Sequence, residues 1–468
     1  MTARVGALPA ELALICSGCG ARSVDPLRFS CPERVPGDDI DHVLVPPEPV
    51  EVPWPAPRQP DSPDSLTGAD PFLRYRRLLY AYRLHRAWGG TDAGFVTLVE
   101  RLQAEVAGID PNHQPFRITP LRRFNGGDLV PGAAPPVVWV KDETRNVSGS
   151  HKGRHFMGLA LYLTVVDQHL GADRTGSLAI SSCGNAALAA AVLARALDRA
   201  IEVFVPADAA PSVLRGLERL GATVQPCARI PGQRGDPCQA AFEAAVARGA
   251  VPFSAQGPSN GLALDGAATL GYELADQLRG RQALDHAGVA RFYVQVGGGA
   301  LASSVMTGLG RAHVRGVLGS LPALHTVQAA GAAPFSRAVT AITAITASTA
   351  ITGSAPMALR EVLARLARHR SEAMQPWPGV PSSVAGGILD DETYDWRSVA
   401  EALVISGGQP VLVSEEQLVE ANDRAMRITG IDVDCTGSAG LAGVWADAAK
   451  AATATAAPVL VLFTGARR

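Results

Sequence analysis

Short apolar runs alternate along this chain with longer stretches in which apolar residues return every three or four positions. The runs at 137–140, 178–180, 201–205, 251–254, 292–296, 324–328 and 458–463 are rich in Val, Ile, Leu and Phe and read as strands buried on both faces. From 152 to 166 the apolar spacing is helical, and 186–197 is an Ala-rich helical stretch. Strands alternating with helices imply right-handed βαβ units and mostly parallel sheets, the α/β class. Residues 71–102 add further helical segments. The alternation of Arg and Tyr within 72–80 fits an amphipathic helix with a solvated face better than a nucleic-acid surface. Residues 340–352 repeat Thr-Ala-Ile without recognisable chemistry, and are expected to pack as a helix or loop.

Composition narrows the class. At 468 residues the chain is long enough for two or three domains with sizeable cores. A net charge of -2 offers no basic field for nucleic acid or a membrane surface, and the apolar strands are too short to span a bilayer. The start lacks a charged segment followed by a long apolar one, so no secretory leader is expected. The seven cysteines form no regular framework and suggest a reducing cytoplasm. Three of them, Cys16, Cys19 and Cys31, fall in the first 53 residues. A CxxC with a later cysteine looks like a zinc ribbon, but a closed structural site needs four ligands. The second CxxC is broken, since Cys31 is followed by Pro32-Glu33-Arg34, and His42 would complete the set only at an unusual spacing. Residues 1–53 are therefore read as a degenerate, metal-free ribbon, with metal binding by these thiols the alternative. Proline-rich, aperiodic residues 46–63 suggest an extended linker, placed at 54–70 between leader and body.

Four segments carry candidate chemistry. Ser148-Gly149-Ser150-His151-Lys152 follows a predicted strand and a tight turn, which puts Lys152 at a helix N-terminus. Positive backbone charge and burial both disfavour its ammonium form there, leaving an amine free to attack an aldehyde. The plainer reading is a solvated lysine in a first helical turn. Ser181-Ser182-Cys183-Gly184-Asn185 runs from a strand into the Ala-rich helix. Its hydroxyls and backbone N–H groups can meet a carboxylate, while Asn185 either reaches a bound ring or merely caps the helix. Cys183 has no histidine evident beside it and reads as an inert small residue. Gly297-Gly298-Gly299-Ala300-Leu301 joins a strand to a helix, the recipe for gripping a phosphate with backbone N–H groups, although any tight turn can use glycines. The last strand ends at Thr464-Gly465, where a hydroxyl can meet a ligand in the crevice of an open sheet.

In order and content these pieces resemble the fold type II pyridoxal-phosphate (PLP) enzymes, and threonine synthase most closely, from about Thr119-Pro120-Leu121 onward. The family's Lys-Asp-Glu…Gly-Ser-Phe-Lys stretch matches Lys141-Asp142-Glu143…Gly149-Ser150-His151-Lys152. Its Ser-Ser-Gly-Asn turn corresponds to 181–185, its phosphate cup to 297–301 and its terminal Thr-Gly to Thr464-Gly465. The resemblance implies two αβα domains with mostly parallel sheets and the cofactor in the cleft between them. Residues 71–141 and 256–468 would form the large PLP-binding domain, and 142–255 a small mobile one. It further implies that Lys152 holds PLP as a Schiff base, Asn185 meets the phenolic oxygen, Gly297 to Leu301 cradle the phosphate, and Thr464 faces the pyridine nitrogen. Ser438 is the rival for that last contact.

The chain departs from the pattern at several places. His151 stands where threonine synthases mostly have Phe, Ala186 where a threonine is common, and Ala300 replaces a fourth glycine. The arginine that contacts the substrate's phosphate in threonine synthases is missing from 256–269. Two reactions on an amino acid are thus expected. The first is threonine-synthase-like, turning O-phosphohomoserine and water into threonine and phosphate. The alternative is serine or threonine dehydration, or another β-elimination or β-replacement, and the missing arginine speaks for it. A PLP-binding protein without catalysis is a third class, against which retention of Lys152 argues. A cytoplasmic homodimer is implied by the resemblance alone.

Overall fold

The computed structural model describes residues 6–56, 68–132, 135–171, 176–229, 236–285, 288–348, 355–450 and 457–468. Most of the predicted linker and the end of the Thr-Ala-Ile repeat lie outside these residues. The described strands are β1 (Leu14–Cys16), β2 (Arg22–Ser23), β3 (Leu44–Val45), β4 (Leu121–Phe124), β5 (Val138–Asp142), β6 (Leu178–Ser181) and β7 (Ile201–Pro206). After these come β8 (Thr223–Cys227), β9 (Val251–Pro252), β10 (Arg291–Gln295), β11 (Ala323–Ala329), β12 (Gln409–Val413) and β13 (Val459–Phe463).

They form three sheets. A six-stranded sheet has the order β12-β11-β10-β13-β5-β4, a four-stranded one β8-β7-β6-β9, and a three-stranded one β2-β1-β3 in the leader. Both larger sheets are parallel except where β4 pairs antiparallel with β5. All five residues of β13 and of β5 are buried, as expected of central parallel strands covered by helices on both faces. Every predicted apolar run lies in one of these two sheets. Within these two sheets the strands that pattern reading missed, β4, β8 and β12, are all edges. An edge is open to water on one side, so its sequence can mix in polar residues, as Arg122 and Arg123 do in β4.

The helix Lys152–Leu170 crosses the helix Ala263–Asp285 at a point where only glycine fits. A Cβ on Gly158 would lie 2.6 Å from the Gly266 Cα, and one on Gly266 would lie 2.4 Å from the Arg154 carbonyl. Phe72, Tyr80 and Leu98, in the helical region after residue 70, share a core with Ile180 and Val203 of the four-stranded sheet and with Leu14 and Leu44 of the leader. These N-terminal helices thus share a core with the smaller sheet and also meet the long helix Ala263–Asp285, where Arg74 donates to Asp276 at 2.9 Å. The repeat region begins as a helix, Pro334–Ser348.

Behind the N-terminus of the Lys152 helix lies a fully buried charge cluster. Arg154 donates to both oxygens of Glu143, at 2.8 and 2.9 Å, and to Glu273 at 2.6 Å. Lys141 donates to Glu273 at 2.7 Å, to the Thr119 carbonyl at 2.7 Å and to Gln277 at 3.0 Å. Burial by itself would raise the Glu143 carboxyl, yet Arg154 holds it below the ordinary carboxylate range. Two cations and two carboxylates with filled hydrogen bonds balance one another. Taking one carboxylate away leaves a buried cation unmatched. Glu273→Ala should therefore cost about 3–5 kcal/mol of unfolding free energy in a denaturant titration, and a loss below about 1 kcal/mol would show that the cluster is not a stabilising unit.

Candidate active site

Lys152 opens its helix from a backbone that is bent tightly just before it. Ser148 and Gly149 both take left-handed φ values, 57° and 67°, and Ser148 N–H is anchored to Asp110 at 2.6 Å. The segment is also stitched to the last strand. Ser150 bridges Gly465, Ala466 N–H donates to Gly149 at 2.9 Å, and His151 N–H donates to the Thr464 carbonyl at 3.0 Å. Lys152 and Thr464 are thereby fixed relative to each other, although 312 positions separate them in the chain.

They open onto one cavity of about 710 Å³. Of the residues singled out from the sequence, Lys152, Ser181, Ser182, Cys183, Gly184, Asn185, Gly297, Gly298, Gly299, Ala300, Leu301 and Thr464 line it. Lys152 makes no hydrogen bond among the described residues, and burial depresses its pKa against the opposing pull of Asp390 and Asp395. Beside it, His151 is pushed down to about 3 by burial and by the Lys152 charge. The imidazole is therefore neutral, and its Nδ1–H donates to the Thr464 carbonyl at 3.2 Å. Its Nε2 lone pair is buried without a partner.

The glycine segment is held as a cradle. Gly299 has φ +93° at the start of the helix Ala300–Val314, whose first N–H groups have no partner inside the helix. A Cβ on Gly297 would sit 2.5 Å from Asp390 Oδ2, and one on Gly298 would sit 2.9 Å from Tyr394. Two loop carbonyls are tied back, to the Thr393 hydroxyl at 2.8 Å and to Asp395 N–H at 2.9 Å. Across the cavity, the helix Asn185–Ala196 begins without a side-chain cap. Asn185 is thus its first helical residue and not the cap that the plainer reading offered, and its Oδ1 accepts from Arg468 at 2.8 Å. Thr464 Oγ1 accepts from Gln295 at 2.8 Å, which leaves its own proton to donate. Ser438 is bonded instead to Asn422 at 2.9 Å and to the Asp434 carbonyl at 3.1 Å, so Thr464 alone of the two rivals lines the cavity. The Cys183 thiol is pushed up by burial and by Asp208, Asp236 and Asp390, consistent with an inert residue.

This donor set fits PLP. The cavity offers a partly buried amine that makes no hydrogen bond among the described residues, a glycine loop opening a helix whose first N–H groups have no partner inside it, and a hydroxyl donor at a strand end. Sequence reasoning missed Asp390, Tyr394, Asp395, Gln295 and Arg468, none of which sits in a recognisable motif. The acidic run Asp390-Asp391-Glu392 was the one local signal. Burial raises Asp390 to about 6, and burial together with Asp41 raises Asp395 to about 7. The leader thiols lie apart from this cavity, where Cys16, Cys19 and Cys31 meet His42. No helix among the described residues is long and apolar enough to cross a membrane.

The family model for pyridoxal-phosphate dependent enzymes matches residues 113–465. The chain is 25% identical over 327 residues to the threonine synthase of Methanocaldococcus jannaschii, covering 70% of this chain and 68% of that protein. It is 24% identical over 312 residues to the threonine synthase of Methanosarcina acetivorans, covering 66% and 64%. The chain thus spans about two thirds of the length of these curated relatives. Among solved structures, a threonine deaminase from T.th. superposes with a TM-score of 0.55 at 19% identity, covering 80% of this chain and 98% of that one. At that identity the likeness shows a shared fold.

Asp395 sets a pH signature. Its ordinary value is 3.8 and its folded value about 7, so as pH rises between them the unfolded chain ionises first and the fold loses stability. Asp395→Asn removes this loss. In cofactor-free protein the variant's melting temperature should exceed the wild type's at about pH 8, with the gap closing toward about pH 5. Parallel curves across that window would show that Asp395 does not titrate there.

Proposed function

The chain belongs to the pyridoxal-phosphate-dependent enzymes, and from that premise we propose that it is a lyase acting on a small amino acid in the manner of threonine synthase. The observation that carries this reading is the meeting of Lys152, the 297–301 cradle, the 181–185 turn and Thr464 in one cavity. When bound, PLP supplies an electron sink for the bonds at the substrate's α carbon. The chain's own residues do the rest. Lys152 Nζ would hold the cofactor's aldehyde and is the group placed to take the α proton and return one; its depressed pKa suits both tasks. Backbone N–H groups of Gly297 to Leu301 hold the phosphate. The Thr464 hydroxyl, oriented by Gln295, would donate to the pyridine nitrogen of the bound cofactor. Asn185 would meet the phenolic oxygen through its amide N–H, its carbonyl being occupied by Arg468. The turn Ser181 to Gly184, leading into the uncapped helix start at Asn185, takes the substrate carboxylate. We take residues 142–255 as the part that closes over the substrate, in a cytoplasmic homodimer.

One observation favours a second reading, β-elimination from serine or threonine. Asp208, Asp236 and Asp390 line the cavity, and Lys152 is the sole lysine or arginine among its described lining residues. A buried phosphate dianion is normally met by charged donors, whereas a neutral hydroxy amino acid needs none.

PLP-loaded protein mixed separately with O-phosphohomoserine, serine, threonine and O-acetylserine separates the two. Threonine and phosphate from the first substrate would establish the threonine-synthase-like reaction. Keto acid from serine or threonine, with phosphohomoserine inert, would replace it with elimination. Lys152→Ala should abolish turnover and the covalent cofactor adduct that borohydride fixes in the wild type, read by mass spectrometry. An adduct persisting in the variant would remove Lys152 from this role.

A further inference from the structure

The leader's small sheet holds a feature that the cofactor chemistry does not use. β1 ends at Cys16, a tight turn through Gly20 (φ +82°) brings Cys19 round, and β3 pairs against the other side of β1. Cys31 and His42 reach the same point from two separate loops. Cys16 Sγ lies 3.4 Å from His42 Nδ1, and Cys19 Sγ lies 3.5 Å from Cys31 Sγ. All four donor atoms fall within 4.8 Å of one another. A tetrahedral zinc ion with bonds of about 2.3 Å to sulfur and about 2.0 Å to nitrogen sets its ligand atoms about 3.5–3.8 Å apart, close to the spacings found. Cys16, Cys31 and His42 are each at least 95% buried, with exposures of 1%, 4% and 5%.

An independent observation fixes the imidazole for this role. His42 Nε2 is 3.0 Å from Asp38 Oδ2. A carboxylate can only accept, so Nε2 carries the proton and Nδ1 turns its lone pair toward the thiols. This carboxylate–histidine arrangement is the usual support of a metal-bound imidazole. A disulfide does not account for the cluster, since it would use two sulfurs and leave Cys16 and the oriented His42 unexplained.

We propose that Cys16, Cys19, Cys31 and His42 bind one structural zinc ion, with Asp38 as the positioning residue for His42. Four protein ligands close the coordination shell and leave no position for substrate. The ion staples a leader too small for a core of its own. Its effect reaches the catalytic cavity through packing. Ser17 N–H donates to the Val43 carbonyl at 2.9 Å, and Arg397, two residues beyond Asp395 in the chain, donates to the Ser17 carbonyl. Val43 lies against Gly257 and Gly261, and a Cβ on Gly257 would also strike Asp395. The metal thus holds the outer side of the wall whose inner side carries Asp395.

Elemental analysis of the full-length protein, purified under reducing conditions without added metal, should find about one zinc per chain. Cobalt exchanged into the site should give tetrahedral d–d bands and a thiolate-to-cobalt charge-transfer band. His42→Ala should lose the metal, His42→Cys should retain it, and Asp38→Ala should weaken zinc affinity about 10–100-fold. Should His42→Ala fail to fold, the cobalt spectrum of the wild type and the behaviour of His42→Cys still decide. Protein without zinc that takes up no cobalt, a Cys19–Cys31 disulfide found by mass spectrometry, or zinc retained unchanged in His42→Ala would each overturn the assignment.

Discussion

The arrangement on which the rest of the site depends is the burial of Lys141, Glu143, Arg154 and Glu273 in one contact network. Removing four charges from water costs several kcal/mol for each ion, and the structure offsets this with matched signs and well-formed bonds. Geometry is what the arrangement returns. Glu143 follows directly on β5, Arg154 stands two residues beyond Lys152, and Glu273 lies midway along a long helix. The ion pairs join all three elements, so the amine of Lys152 emerges at a fixed height above the sheet. A purely apolar contact could supply comparable stability, but without the directional constraint of a two-pronged guanidinium.

Around that fixed point the electrostatics are tuned by burial more than by close pairing. The amine is pressed toward its neutral form, the neighbouring imidazole is neutral, and two carboxyls facing the lysine titrate near 6 and 7 instead of at their ordinary value. Titratable groups pushed toward neutrality in one cavity are the usual mark of proton-transfer chemistry. The terminal segment adds an ordering element. Arg468 donates to both Asn185 and the Ser148 carbonyl, so one side chain ties the helix start opposite the lysine to the bend that precedes it.

The interior of the fold was legible because central parallel strands must be apolar on both faces, and 459–463 or 292–295 satisfy nothing else. Edges such as β12, with Gln409 and Pro410, were not legible, since water on one side relaxes the requirement. The cavity's residues could be named where short-range chemistry demands a particular type: a lysine at a helix start, glycines at a phosphate turn, a hydroxyl at a strand end. Asp395 and Gln295 were invisible because they matter only once residues more than 100 positions apart, Lys152 among them, are brought together. His42 stands between these cases. Its type was right for a ligand, but the spacing gave no reason to join it to Cys31 until Asp38 was seen to orient its ring.

The strand order carries a consequence for how the protein is made. β13 lies between β10 and β5 near the middle of the six-stranded sheet, yet it follows every other strand of that sheet in the chain and leaves the ribosome after them. The four-stranded sheet draws all its strands from 178–252 and has its complete set much earlier in synthesis. Until residues 459–463 appear, β5 and β10 each present an unpaired edge, and Lys152 has neither Thr464 nor Gly465 to brace it. The nascent chain must therefore carry a half-built sheet through most of its translation, exposed to mispairing, and only the arrival of 459–465 turns a set of parts into a site.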